Sequence, residues 1–221
     1  MTMMASGLAA CLLLIMALCI PALAAPVRVA KLKYGGGGDW YSNRSSLPNL
    51  IAAVRERTSI DIAQEAGTVT PLDRDLLSYS YVFATGHGRI RFTDEEAAKL
   101  RQYLLRGGFL HVDDNYGMDP HFRKAVKVLF PDRELVELPF DHPIYHCLYD
   151  FPTGLPKIHE HYGGPPHGYA ILEKGRVVLF YSYNTDLGDG WESPEVHNDA
   201  PETREAALRM GVNILVYALT H

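Results

Sequence analysis

Apolar residues recur along this chain in two periods. Val27–Tyr34, Tyr79–Ala84 and Phe109–Val112 are short runs rich in Val, Ala, Leu, Tyr and Phe, the pattern of strands buried inside a parallel sheet. Between them the period becomes helical. Leu47, Leu50, Ile51 and Val54 lie at i, i+3, i+4 and i+7 behind Ser46, which predicts a helix with Ser46 as its N-cap. Thr93-Asp94-Glu95-Glu96 predicts a capping box, in which the Thr hydroxyl accepts from the Glu96 amide and the Glu96 carboxylate reaches back. Ala97, Leu100 and Leu104 form the inward face of that helix, and Gly107 ends it. Asp119-Pro120 opens another helix, with Phe122, Val126 and Leu129 on one face. Short strands are expected around Ile60–Ala63 and Leu135–Leu138.

The periodicity fades after Pro139. Residues 139–168 are dense in Pro, Gly, His and Tyr. Tyr169–Leu172 and Arg176–Tyr181 then flank Lys174-Gly175 and predict a hairpin. A polar loop leads to a last helix striped with Leu208, Val212, Leu215 and Leu219. Strands alternating with helices over residues 27–138 imply parallel pairing with helices on both faces. The expected fold class is α/β, with a mostly parallel sheet and a C-terminal hairpin plus helix. Such sheets bind ligands outside the carboxyl ends of their strands. The Gly35–Asp39 loop, His87 and Asp113 each follow a strand, so all three should crowd one edge.

The first residues carry a different signal. Residues 8–20, LAACLLLIMALCI, form one apolar run, broken by Pro21 and followed by the small residues Ala22 and Ala24. This predicts a signal peptide over residues 1–24, a single domain over 25–221, and a periplasmic or secreted location. A retained anchor is the other reading of the same run, although it is short for a membrane span. No membrane span is expected in the mature chain. Lys and Arg number 21 against 26 Asp and Glu, and the signs are mixed, which argues against nucleic acid as a partner. Cys11 and Cys19 lie in the leader, so Cys147 stands alone and reads as a buried spectator.

Four stretches could carry chemistry. In LHVDDNYG a strand runs into Asp113 and Asp114, the place where α/β hydrolases and amidotransferases lift a nucleophile above the sheet. A carboxylate there can act as nucleophile, general base or metal ligand. The pair suits an Asx turn equally, completed by Asn115 and Tyr116. In TGHG, Gly86 and Gly88 flank His87 and permit close approach by a ligand, or simply supply turn dihedrals. GGGGDW is neither a Walker loop nor a dinucleotide fingerprint. It reads as a lid, with Trp40 and Tyr41 closing on a ligand and Asp39 and Trp40 as contacts, or as a connector. Last come the histidines. His142 and His146 are four apart and share a face if Asp141 caps a helical turn. His159 and His161 are two apart and share a side of an extended segment. Together they are rich enough for a divalent transition metal such as zinc, and they also suit rings that tie an irregular loop down. The acidic turn DLGDG at 186–190 lacks calcium-loop spacing.

YGGGGDWY, FATGHG, LRGGFLHVDDNYG, HPIYH, LPKIHEH and DLGDGWE, in that order, resemble a bacterial family described only as a domain of unknown function, family 4159. The resemblance covers roughly residues 27–220 and implies a flavodoxin-like three-layer sandwich in the class I glutamine amidotransferase-like superfamily. It also implies an envelope setting with envelope protein partners. The superfamily's chemistry needs a Cys at the elbow, where this chain has Asp113. The resemblance and the residues together lead to two expectations. One is an exported module holding a small polar ligand, an envelope component or a metal in the crevice. The other is a metal-dependent hydrolase in which Asp113, Asp114 and the His cluster hold an ion that activates water.

Overall fold

The computed structural model describes residues 25–221; the leader expected over residues 1–24 lies outside them. A seven-stranded sheet forms the centre. Its strands are β1 (Val29–Leu32), β2 (Gly67–Val69), β3 (Tyr81–Ala84), β4 (Phe109–Asp113), β5 (Val136–Glu137), β6 (His167–Glu173) and β7 (Arg176–Tyr183). The spatial order is β2-β1-β3-β4-β7-β6-β5. The five strands from β2 to β7 are mutually parallel, and β6 and β5 add an antiparallel edge.

Helices cover both faces, giving three layers. α2 (Asp94–Leu105) and α3 (Asp119–Leu129) pack on Leu32, Val82, Ala84, Leu110 and Val112. α1 (Ser46–Arg57) and α6 (Pro201–Thr220) pack on Val29, Tyr81, Phe83 and Phe109 on the other side. Alternate residues of each strand serve alternate layers, as a pleated backbone requires. The Thr93 capping box forms as expected: the Thr93 hydroxyl accepts from Glu96 N at 3.2 Å and Thr93 N donates to Glu96 Oε2 at 2.8 Å. The predicted hairpin is β6–β7, turning at Lys174 and Gly175, both at positive φ.

Several expectations need correction. The strand expected near Ile60–Ala63 is only an isolated bridge between Ile62 and Val27, and β2 instead begins at Gly67. A side chain there would run into the Tyr79 ring, so the glycine admits this segment to the edge beside β1. Ser46 is the first helical residue, and Ser45 occupies the cap. The Ser46 hydroxyl donates to Asn43 O at 2.8 Å. Most consequential is the position of β7. It lies parallel to β4, with Asp113 opposite Ser182, so the loop after β7 opens at the same edge as the loops after β1, β3 and β4. No described helix is long and apolar enough to cross a membrane.

Candidate metal centre

Beyond β7 the chain turns sharply into the short helix α4 (Leu187–Gly190), and a second one, α5 (Pro194–His197), follows. Asp113 is what holds α4 there. Its Oδ1 accepts from Ser182 Oγ at 2.5 Å and from Leu187 N at 3.2 Å, and its Oδ2 accepts from Gly188 N at 2.7 Å. The side chain is wholly buried, and burial together with the neighbouring Asp186 pushes its carboxyl well above the usual range. The picture of Asp113 facing an open cleft with His87 is therefore corrected. Asp113 anchors the loop that carries the site.

That loop presents Asp186 and Asp189. Asp186 sits in the left-handed region at φ 67°, unusual for a residue with a Cβ. Its side chain is fully buried. Oδ2 accepts from His159 Nδ1 at 3.2 Å and from His161 Nε2, while Oδ1 has no partner among the described residues. Asp189 Oδ2 lies 3.3 Å from His159 Nδ1 and 3.6 Å from His197 Nε2. Its Oδ1 accepts from Asn43 Nδ2 at 2.5 Å and Asn115 Nδ2 at 3.4 Å. Two triads result, His159–His161–Asp186 and His159–Asp189–His197, each with its ligand atoms within 4.8 Å of one another. Glu192 and Asp199 close the periphery, on His197 Nε2 and His159 Nε2, both at 2.9 Å.

His159 therefore has a carboxylate at each ring nitrogen. Without an ion both nitrogens must carry protons, and hydrogen bonds to Asp186 and then Asp189 push the imidazolium up to about 11. Burial opposes the charge of Asp189, yet His159 and His197 hold its carboxyl below the ordinary value. A divalent cation could replace the Nδ1 proton, leaving Nε2–H on Asp199 as the outer carboxylate that ligating histidines commonly have. Imidazole nitrogen with carboxylate oxygen is a donor set that suits zinc and its neighbours.

The family model described as Domain of unknown function (DUF4159) matches residues 28–219. The chain belongs to that family. No curated protein matches it.

Within this DUF4159 domain the other expected site residues divide. His161 joins His159 as the extended spacing implied, and Glu160 between them is exposed and turns to Lys157 Nζ at 3.8 Å. Asn115 braces the centre: its Oδ1 accepts from Thr85 Oγ1 at 3.3 Å and its amide reaches Asp189. The Tyr116 ring lies 6.0 Å from that of His161, and its carbonyl accepts from Gly88 N at 3.3 Å. His87 is drawn to Asp39, with Nδ1 2.9 Å from Oδ2 and the amide donating to Oδ1. Gly86 permits this: at φ 134° it leaves no room for a Cβ, which would lie only 2.9 Å from Asp39 Oδ1. Trp40 packs on the layer of α2 and α3, with Lys33 Nζ 5.4 Å from its ring centre. Asp114 is buried with neither oxygen partnered, and burial and then Asp119 push its carboxyl up to about 7.

His142 and His146 do not join the centre, because Pro143–Tyr145 is a 3₁₀ turn capped by His142 and not a helix capped by Asp141. His142 Nδ1 accepts from Ile144 N at 3.2 Å and its ring packs at a tilt against Tyr217, 5.4 Å between centres. His146 bonds Asp150 at 2.5 Å and the Phe140 carbonyl at 2.7 Å. Both serve the loop's own structure. Sequence reading missed Asp186, Asp189, His197 and Asp199. The available signal was two carboxylates one helical turn apart, immediately after a strand. It carried weight only once β7 was known to run beside β4.

Proposed function

We propose that this chain is an exported envelope protein that binds one divalent transition-metal ion through His159, His161 and Asp186, with Asp189 and His197 beside them. One observation carries the reading. A fully buried carboxylate in a left-handed backbone conformation meets two imidazole nitrogens on one oxygen and keeps the other unpartnered. An unpaired buried carboxylate oxygen is costly unless a cation accompanies it. Export rests on the leader-like residues 1–24, and the envelope supplies the partners. The reading includes an amidotransferase-like ancestry in which Asp113 has taken the nucleophile's place and become an anchor.

A second reading, a metal-dependent hydrolase, is favoured by the Asp39–His87 pair. Asp39 binds the Nδ1 side of a half-exposed imidazole, an arrangement that orients a general base. A bound ion would supply an activated water.

Elemental analysis of untagged protein tests the metal reading. About one equivalent of zinc or a similar metal is expected, and a His159→Ala, His161→Ala double variant that folds should lose it. A metal-free wild type that takes up no added zinc would refute the proposal.

A further inference from the structure

After the bend at His87-Gly88 that follows β3, residues 89–92 alternate between exposed and buried with period two. His87, Arg89 and Arg91 are exposed, while Ile90 and Phe92 are buried. Facing them, α3 offers His121, Lys124, Ala125 and Val128 at i, i+3, i+4 and i+7, a single helical face. Between the two lies an open cleft of roughly 280 Å³, bordered by Gly36. It is separate from the histidine–aspartate centre.

The two arginines have fixed roots. Gly38 N donates to Arg89 O at 2.9 Å, and Arg91 N donates to Gly35 O at 2.9 Å. Gly36 has φ 108°, and a Cβ on it would lie 2.9 Å from both Arg89 O and Arg91 N. The tetraglycine stretch is thus a backbone strap against this segment. Yet among the described residues no carboxylate forms an ion pair with Arg89, Arg91, His121 or Lys124, nor do their side chains hydrogen-bond. Basic groups gathered without counter-charge on a chain of net charge −5 mark a place for an anion. The floor is apolar, made by Phe92 and Ala125, and it runs out to Val128, which is 37% exposed.

We propose that this cleft binds a small organic phosphate, its head group between Arg89, Arg91 and Lys124 and a short apolar body along Ala125 and Val128. Guanidinium forks match phosphate oxygens bidentately, and several donors favour a dianion over a single carboxylate. The volume lies just below the usual range of small-ligand sites, which favours a small molecule over a macromolecule.

Titration calorimetry on the full chain with three probes tests this: inorganic phosphate, hexyl phosphate and hexanol. Hexyl phosphate should bind roughly tenfold more tightly than inorganic phosphate, the effect of burying about two methylenes. Hexanol should not bind, and raised salt should weaken both phosphates. An Arg89→Gln, Lys124→Gln double variant removes only exposed side chains and leaves the metal ligands intact. It should keep the wild-type melting temperature and lose about tenfold or more in affinity. Unchanged affinity in that variant would assign phosphate binding to the metal centre and overturn the proposal. Equal affinity for the two phosphates, or no saturable binding of either, would overturn it as well.

Discussion

His159 gives its Nε2 hydrogen to Asp199 Oδ1 across 2.9 Å, which leaves Nδ1 aimed between Asp186 and Asp189. This contact fixes which nitrogen can serve an ion. Asp199→Asn keeps an acceptor but removes the charge that strengthens the imidazole as a donor. Zinc affinity should fall by about 10–100-fold. Competition with a chromogenic chelator measures this, and an unchanged Kd would mean that Asp199 has no part in the site.

Asp186 combines a ligand atom with a left-handed backbone, so two substitutions separate the roles. Asn tolerates that conformation and Ala does not. Asp186→Asn should abolish tight metal binding and also lower the stability of metal-free protein, because the His159 imidazolium loses a charged partner. Asp186→Ala should lose the metal and fall about 1–2 kcal/mol below the Asn variant, read from urea unfolding of chelator-treated samples.

Asp113 and Asp114 are adjacent and both buried, but their substitutions should differ. Asp113→Ala strands the amides of Leu187 and Gly188, a cost of about 1–3 kcal/mol for each buried donor left unpaired. Asp114→Asn removes a carboxylate that has no hydrogen-bond partner and should be neutral or stabilising. Equal losses of urea midpoint in the two variants would contradict these roles.

His111 lies fully buried between Tyr81 Oη at 2.7 Å and Ser182 Oγ at 2.8 Å. Burial lowers it from 6.5 to about 3. Its folded pKa is depressed, so below pH 6.5 the unfolded chain binds the extra proton. Stability is therefore full above 6.5 and declines as pH falls toward 3. This one group should remove about 2 kcal/mol between pH 6.5 and pH 5. Unfolding free energies across that window should slope less steeply in His111→Gln, and an identical slope would show that other groups dominate.

The glycine strap offers a further check. A Cβ on Gly38 would lie 2.7 Å from the carbonyls of His87 and Arg89, whereas one on Gly163 meets nothing within 4 Å. Gly38→Ala should lower the melting temperature by several degrees, corresponding to about 1–3 kcal/mol. Gly163→Ala should leave it nearly unchanged.

The locally determined features were legible. The Thr93 capping box, the apolar stripes of α1–α3 and α6, and the turn at Lys174-Gly175 depend on residues within one or two turns of one another. For the same reason the His159–His161 pair was visible, since an extended segment alone places both rings on one side. The Pro143 turn misled because a 3₁₀ turn and an α-helical turn begin with the same residues and rotate their fourth neighbours differently.

Sequence by itself determined the α/β layers, the parallel strands and the chemical character of the loops, because hydrophobic period and capping act over short spans. It placed Asp113 at a strand end without determining whether that side chain faced solvent or amides. Tertiary structure alone decided this by laying β7 beside β4, which brings residues 186–199 over the strand ends and onto His159. Strand adjacency arises from burying both faces of a sheet across the whole chain, and no local pattern of residues encodes it.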